Sequence, residues 1–420
     1  MQWQIFTALD GMWPANMVLQ IKHGPMDFQV HEPVHSLFGQ LPKTSLMVEL
    51  GVAHEYTGQA WHICHLPSMW DEYLAFDTQC DSSSPSSRST LADIVTGRTA
   101  STAGYRSNGF AGVSNFGDDE SWTGHPFSAA NTFGFGRLAW NPINHTAEEI
   151  TREWAELTFP TLEQEVNADA SLTVAKGSKL GEQHLEEYRS VARTVETMLL
   201  SSWETFENYT SPYGLGAVVS NCKSNPHFCP DGWEQDFYSS AGKFDHYWLN
   251  LSLWKYALKE CTIDPVTGDS ECEGNAGYGG GFNASVARIG NNRSLAYGAT
   301  YCGTNADTFA SPETTPRRLL LTFHNLPWNM TVYAPSAVGR RSGEGKPLLL
   351  AITDSYRAGV ESAASYVKTW EALRHGSPST RTFARKDPRY HQVEERLVTA
   401  AIDAQNFTET ALAFFAGYQI

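Results

Sequence analysis

The residues best suited to chemistry follow two apolar runs near the start of this 420-residue chain. Lys22 and Asp27 come after the run "MVLQI", and Glu55 comes after the run "SLMVELGVAH". Paired carboxylates are typical of glycoside hydrolysis, in which a carboxylate activates a water and a carboxylic acid protonates the leaving oxygen. Lys22 would add a fixed cation that suits an anionic group on the substrate, such as a sugar carboxylate.

The same residue types also have ordinary structural roles. A carboxylate at the end of a strand commonly caps a helix or joins a surface ion pair, and Lys22 could simply pair with Asp27. Other polar residues that follow the predicted strands are Tyr56, Asn115, Asp118, Asp119 and Trp122. Spacing alone therefore predicts a candidate site without deciding between these alternatives.

Three apolar runs must position these residues, and they span 17–21, 45–54 and 110–114. Their continuous apolar character is typical of buried parallel strands. In parallel α/β folds the reactive groups lie at the carboxyl ends of the strands, which is where Lys22, Asp27 and Glu55 would be. A short helix that ends at a glycine is predicted over 90–97.

Helices dominate the pattern from about residue 128 onward. Thr146 and Glu149 form a capping box that predicts the start of a helix. Asp387 as the cap and Pro388 at the first position predict the start of another. Apolar residues recur at helical spacing over 181–207, 244–259, 351–374 and 388–415.

The composition argues against several classes of partner. The net charge is −16 and no Lys/Arg-rich run occurs, so we expect neither nucleic acid nor an anionic membrane surface as a partner. No apolar run reaches the roughly 18 residues of a membrane span. We also expect no metal and no cofactor, because no zinc spacing or dinucleotide motif is present. The histidines of "WHICH" (62, 65) and "VHEPVH" (31, 35) are interpreted as hydrogen-bonded core or rim residues.

Sequons and cysteines predict a secreted protein, although the first residues lack the pattern of a signal peptide. Seven Asn-X-Ser/Thr sequons occur, at Asn144, Asn208, Asn250, Asn283, Asn292, Asn329 and Asn406. Among the seven cysteines, Cys64 has apolar neighbours and is expected to be buried. Five others cluster in a Gly-rich region and are expected to form disulfides: Cys222, Cys229, Cys261, Cys272 and Cys302. Cys222–Cys229 and Cys261–Cys272 are local candidates, but spacing does not fix the connectivity.

Long blocks of the chain resemble glycoside hydrolase family 67, the xylan α-glucuronidases. The most specific blocks are "LDGMWPANMVLQIKHGPMDFQVHEPVHSLFGQLPKT", "EYTGQAWHICHLPSMWDEYLAFDT", "GVSNFGDDESWTGHPFSAANTFGFGRLAWNP" and "SSWETFENYTSPYGLG". The resemblance is dense over 9–216 and patchy afterwards. It implies the last part, about strands 6–8, of a TIM (β/α)₈ barrel over 1–135. A mostly helical C-terminal domain over 136–420 would follow, with an irregular Gly- and Cys-rich insertion at about 211–310.

The resemblance also implies an activity and residue roles. The family removes α-1,2-linked (4-O-methyl)glucuronic acid from xylo-oligosaccharides with inversion, so the implied substrate is glucuronoxylan or its oligosaccharides. The family's base pair of aspartate and glutamate falls on Asp27 and Glu55, and its carboxylate-binding lysine falls on Lys22. Trp203 resembles the platform for the xylose side. The family is commonly a homodimer through its C-terminal domain.

The family's general acid lies on an earlier strand, so the resemblance implies that the acid, the N-terminal domain and the first barrel strands are absent from these 420 residues. Apolar residues taken to point into the barrel, Val18, Leu46 and Val48, would then lose their partners. A second hypothesis is a chain without catalysis: a remnant, a carbohydrate-binding piece or a dimerisation module. Release of glucuronic acid by residues 1–420 alone would discriminate between the two.

Overall fold

The structure is a computed structural model that describes residues 2–25, 28, 30–54, 57–58, 61–80, 88–99, 108–114, 122–164, 190–214, 261–263, 270–272, 301–302, 308–309, 312–323, 330–334 and 342–416. This part is mostly helical. Its helices are α1 (Gln2–Ala8), α2 (Leu66–Ala75), α3 (Leu91–Val95), α4 (Ala129–Trp140), α5 (Ala147–Thr158), α6 (Val191–Thr210), α7 (Leu320–Phe323), α8 (Leu348–Glu371), α9 (Pro378–Lys386) and α10 (Pro388–Phe415). Its strands are β1 (Val18–Lys22), β2 (Ser45–Gly51), β3 (Gly109–Val113), β4 (Cys261–Ile263), β5 (Ser270–Cys272), β6 (Thr331–Ala334) and β7 (Ser342–Pro347).

The three apolar runs form one parallel sheet in the order β1–β2–β3, as the sequence predicts. Lys22 is the register partner of Glu49, and Gly51 is the partner of Val113. The carboxyl ends of β1 and β2 therefore lie side by side. The other two sheets are antiparallel pairs, β4 with β5 and β6 with β7.

The two faces of the parallel sheet differ in burial. Leu46 and Val48 are fully buried and belong to the same cluster as Leu91 of α3, which packs on β2. The expectation that they share an inward face with Val18 is wrong, because Val18 pairs with Ser45 and successive side chains point to opposite faces. The polar residues Gln20, Lys22 and Glu49 recur at every second position on the face opposite Leu46 and Val48, a signal that interpreting the strands as wholly apolar overlooks.

Predicted helix starts are confirmed where a capping residue defines them. Thr90 begins α3 and Thr146 begins α5, each through a complete capping box. The Asp387 side chain accepts a hydrogen bond of 2.9 Å from the Arg389 N–H at the start of α10. Each cap satisfies backbone donors that the first turn of a helix leaves unpaired.

The long helices of the C-terminal part pack against one another. α8 contacts both α10 and α6. At Gly359 of α8 the backbones come close, since an added Cβ would lie 2.8 Å from the Tyr209 nitrogen of α6. α6 begins at Val191 behind the cap Ser190, whereas the predicted helix began at 181, and 181–189 lie outside the described residues. The helix predicted over 244–259 also lies outside them.

Sequence inspection did not predict α4 or α9 as separate helices, and α8 begins at Leu348, slightly before the predicted 351. α4 runs through residue 135, the predicted domain boundary, without interruption. Within the described residues, no helix is long and apolar enough to cross a membrane.

A disulfide joins Cys80 to Cys302, across a sequence separation of 222 residues. Beside it, the Tyr301 hydroxyl donates to the Val34 carbonyl oxygen at 2.7 Å, so this segment is held on the loop that follows β1. Cys64 is buried and unbridged, as expected, and burial raises the pKa of its thiol.

The two local bridges considered from the sequence have different outcomes. Cys261 and Cys272 are directly opposite each other in the register of β4 and β5, which is compatible with the predicted pairing. Cys222 and Cys229 lie outside the described residues.

Candidate active site

The face of the sheet opposite the helices carries polar side chains. Lys22 ends β1 and is half-buried, as is its register partner Glu49 on β2. The Gln20 side-chain amide donates to the Glu49 carboxylate. Because register partners in a parallel pair share a face, a cation, a carboxylate and an amide lie together at the carboxyl end of the sheet.

The turn after Lys22 folds back over the end of β2. The His23 N–H donates to the Glu49 carbonyl oxygen at 3.0 Å. Phe28 has a φ of +62°, is buried, and packs on Gly51 at the end of β2. The Lys22 Nζ lies 4.8 Å from the centre of the Phe28 ring. Asp27 lies outside the described residues.

The loop after β2 is anchored in the same way. The His54 ring lies 3.3 Å from the Thr57 carbonyl oxygen through Nδ1 and 2.7 Å from the Asn131 Nδ2 through Nε2. Burial lowers the pKa of His54 to about 4, so the ring is neutral at pH 7. A neutral ring can donate through Nδ1 and accept through Nε2, which matches its two partners. Glu55, the next residue, lies outside the described residues.

Nine residues after Lys22, a buried charged group links the sheet to the helices. His31 lies 3.3 Å from Glu207 of α6 through Nδ1 and 3.3 Å from Glu72 of α2 through Nε2. Arg318 lies 3.0 Å from the same Glu207 carboxylate. We call these four residues, together with Trp203, the His31 cluster.

The charges of the His31 cluster set its protonation. Burial alone would lower the pKa of His31, but the carboxylates of Glu207 and Glu72 outweigh it and raise the pKa to about 9. His31 is therefore an imidazolium at pH 7. His23 shows the opposite case: burial, together with the charges of His31 and Lys22, lowers its pKa to about 3. Its ring stacks on Tyr73 with 4.5 Å between centres.

Trp203, the predicted platform for the xylose side, is a buried member of this cluster. Its side chain is 5% exposed, and its Nε1–H donates to the Val30 carbonyl oxygen at 2.8 Å. The ring stacks on His31 with 5.0 Å between centres, and the Arg318 guanidinium carbon lies 5.2 Å from it. A sugar platform needs an open ring face, so this arrangement supports a positioning role more directly, and the platform role stays a prediction.

His62 and His65 are hydrogen-bonded core residues, as interpreted from the sequence. His62 is fully buried, 2.6 Å from the Tyr209 hydroxyl and 3.1 Å from the Asp403 carboxylate. His65 is buried and lies 2.6 Å from the Thr151 hydroxyl. Within the described ranges, no group of three or more His, Cys, Asp or Glu side chains is arranged to hold a metal ion.

The other predicted strand-end residues are only partly described. Trp122 is 48% exposed. Tyr56, Asn115, Asp118 and Asp119 lie outside the described residues. Sequence reasoning missed Glu49, which reads as one polar residue within an apolar strand, although a charge at such a position is costly unless it is used.

The chain matches two family descriptions in sequence order. Residues 1–122 match the glycosyl hydrolase family 67 middle domain. Residues 123–188 and 263–419 match the glycosyl hydrolase family 67 C-terminus. The parallel strands lie in the first match and the long helices α8 and α10 in the second, while α6 lies between the two segments of the second match. This is a glycoside hydrolase architecture, and the chain belongs to glycosyl hydrolase family 67.

Curated relatives are consistent with this membership. The chain is 30% identical over 371 residues to a probable alpha-glucuronidase A of Aspergillus niger, covering 88% of this chain and 34% of that protein. It is 28% identical over 373 residues to an alpha-glucuronidase of Hypocrea jecorina, with the same two coverages. An alpha-glucuronidase A of Aspergillus tubingensis is 29% identical over 376 residues. The chain thus spans about a third of the length of these relatives.

Proposed function

We propose that this chain is the C-terminal portion of an α-glucuronidase that removes α-1,2-linked (4-O-methyl)glucuronic acid from xylo-oligosaccharides or xylan with inversion. Family membership and the names of the curated relatives support this activity. The observation that carries the proposal is the parallel register of β1 and β2. It brings the ends of both strands to one edge, and the loops that contain Asp27 and Glu55 begin there.

In this proposal Asp27 and Glu55 hold the attacking water between them. One carboxylate accepts a proton from the water while its oxygen attacks the anomeric carbon of the glucuronic acid. A carboxylic acid on the opposite side of the ring gives its proton to the departing xylose oxygen. Both events occur in one displacement, which inverts the configuration at the anomeric carbon.

Lys22 binds the carboxylate of the glucuronic acid in this scheme. Its place at the end of β1, on the polar face of the sheet, supports the assignment. An ammonium group also favours the ionised form of a nearby acid, so the substrate would bind as its anion. Trp203 is proposed to border the xylose side, where a change in its ring would alter the preference for xylan chain length.

We further propose that the general acid belongs to a polypeptide segment outside these 420 residues, and that β1–β3 are about strands 6–8 of a (β/α)₈ barrel. The parallel pairing of β1–β3 supports this, because a (β/α)₈ barrel is built from parallel strands. Assay of residues 1–420 alone tests the placement of the acid. Loss of a general acid costs about 10²–10⁴ in rate, so release of glucuronic acid at the rate of the full-length enzyme would overturn it.

Replacement of Lys22 tests whether this residue binds the carboxylate of the substrate. In the full-length enzyme, Lys22→Ala should lower kcat/KM for a glucuronide about 10²-fold, since a lost charged hydrogen bond costs about 1.5–3 kcal/mol. A neutral analogue with an α-1,2-linked glucose should lose far less. Lys386→Ala, which removes an exposed lysine of α9, is the matched control. Equal losses on both substrates would show that Lys22 only supports the fold.

Two further properties are proposed from the same sources. We place the protein outside the cell, as the sequons and the Cys80–Cys302 disulfide favour an oxidising, secretory route. We also propose a homodimer through the long helices α8 and α10. A mass measured in solution that equals one chain over a broad concentration range would contradict the dimer.

A further inference from the structure

The turn between α4 and α5 exposes an unusual amount of apolar surface. Trp140, the last residue of α4, is 89% exposed, and Ile143 in the turn is 38% exposed. A lone exposed apolar residue is ordinary, but a nearly bare tryptophan beside an isoleucine forms a small apolar patch. The inference rests on the extracellular location proposed above, since a secreted protein can cover such a patch with a covalently attached glycan.

A sequon lies in the same turn. Asn144, His145 and Thr146 form an Asn-X-Thr sequence whose asparagine is exposed. The Asn144 amide donates to the side-chain oxygen of Asn141 at 3.2 Å, and both residues are at the surface. The third residue, Thr146, caps α5, so the turn is fixed while its asparagine remains open to solvent.

We propose that Asn144 carries an N-linked glycan whose first sugars pack over Trp140. In the transfer, the Asn144 amide nitrogen forms a bond to the anomeric carbon of an oligosaccharide. The bond from that carbon to a lipid pyrophosphate donor breaks, and the amide proton leaves with the pyrophosphate. The apolar C–H face of the first sugar suits an exposed indole ring, and the short turn keeps the two residues near each other.

A second sequon provides the contrast. Asn208 lies in α6, is half-buried, and its main-chain carbon would be 3.1 Å from a Cβ added at Gly359 of α8. Two helices that approach so closely leave no space for a glycan at their contact. We therefore infer that Asn144 is modified in the folded protein and that Asn208 is not.

Peptide mapping of the secreted chain tests this inference. The 420 residues are expressed behind a cleavable leader in a eukaryotic secretory host, and the soluble fraction with the Cys80–Cys302 disulfide is digested with trypsin. Asn144 lies on the peptide 138–152, which follows Arg137 and ends at Arg152. After enzymatic deglycosylation in heavy-oxygen water, this peptide should carry the mass label of asparagine converted to aspartate. The peptide that contains Asn208 should carry none.

Two variants test whether the mass label depends on the sequon. Asn144→Gln should abolish the label, whereas Thr146→Ser should keep it, because serine preserves both the sequon and the helix cap. An unlabelled Asn144 in the soluble protein, or a labelled Asn208, would overturn the inference. For Trp140, the Asn144→Gln protein should be quenched more strongly by acrylamide than the glycosylated protein. This difference should vanish when both also carry Trp140→Phe, and its persistence would show that the glycan does not cover Trp140.

Discussion

Lys22, the last residue of β1, and His31, nine residues later, are both cationic, yet the fold uses them differently. Lys22 is half-buried on the polar face of the sheet. His31 is buried between two carboxylates and under Trp203. A buried charge that loses its partner stays uncompensated, while a half-exposed charge can turn to water. The depth of burial thus separates His31, which we expect to hold the fold, from Lys22, which we propose to bind a ligand.

The connections of the two residues differ as well. His31 joins α2 and α6 to the loop after β1, and Arg318 adds a segment more than 100 residues further along the chain. The Lys22 Nζ lies 4.8 Å from the centre of the Phe28 ring, in the turn that follows β1. The His31 cluster should therefore control stability, and Lys22 should control substrate binding.

The largest expected effect comes from Glu207. Glu207→Ala leaves His31 and Arg318 with one buried carboxylate fewer, and we expect the free energy of unfolding to fall by about 3–5 kcal/mol. Glu204→Ala is the matched control: Glu204 is 64% exposed and also binds Arg318, at 3.2 Å, so its loss should cost under about 1 kcal/mol. Urea unfolding of both variants measures the difference. Equal losses would show that the buried pairing contributes nothing beyond a surface ion pair.

The next largest expected effect is the dependence of the unfolding free energy on pH. The folded pKa of His31 is about 9, above the value of 6.5 for a free histidine, so its contribution is complete below pH 6.5 and is lost as pH rises to 9. The change is up to about 3 kcal/mol. The groups that face His31 are Glu207, Glu72, Arg318 and the neutral His23, and none of them reverses this sign.

The measurement is the unfolding free energy at pH 6.5, 7.5 and 9 for the protein and for His31→Gln. The slope over this range should be largely absent from His31→Gln. It should persist in His391→Gln, which removes a histidine that is 60% exposed. If His31→Gln left the slope of the unfolding free energy against pH unchanged, groups other than His31 would cause that slope.

Gly24 lies on the turn between Lys22 and His31. Its replacement should lower the free energy of unfolding by less than Glu207→Ala does. A Cβ at Gly24 would lie 2.5 Å from the Cβ of Glu32 and clash with its carboxylate. Gly24→Ala should therefore cost about 1–3 kcal/mol, as overpacking does, and should weaken substrate binding as well. Gly136→Ala is the control, because nothing lies within 4 Å of its added Cβ in α4. It should stabilise the helix by about 0.5–1 kcal/mol, and a similar loss at both glycines would contradict the packing argument.

The sequence predicted the strands and helix starts that are determined by short local patterns. Apolar runs predicted three parallel strands, and caps at Thr146 and Asp387 predicted where two helices begin. These signals lie within a few residues of the structure they define. The candidate site residue Lys22 was found in the same way, from its place at a strand end.

The sequence could not predict contacts between distant residues. His31 and Glu207 are 176 residues apart, and Cys80 and Cys302 are 222 residues apart. No local spacing relates them, so "VHEPVH" predicted a core histidine without its partners. Leu46 and Val48 were predicted to share a face with Val18, and the register of β1 with β2 shows that they do not.

The smallest expected effect on stability is at Lys22, and it makes the comparison with Glu207 sharpest. Lys22→Met keeps the apolar stem of the side chain over Phe28 and removes the charge, so the unfolding free energy should change by no more than about 0.5 kcal/mol. The same variant should still lose most of its kcat/KM on glucuronides in the full-length enzyme. Lys386→Met, at an exposed site, provides the baseline for both measurements. If Lys22→Met instead destabilised the protein as much as Glu207→Ala, Lys22 would be a structural cation like His31, and the assignment of the substrate carboxylate to it would fail.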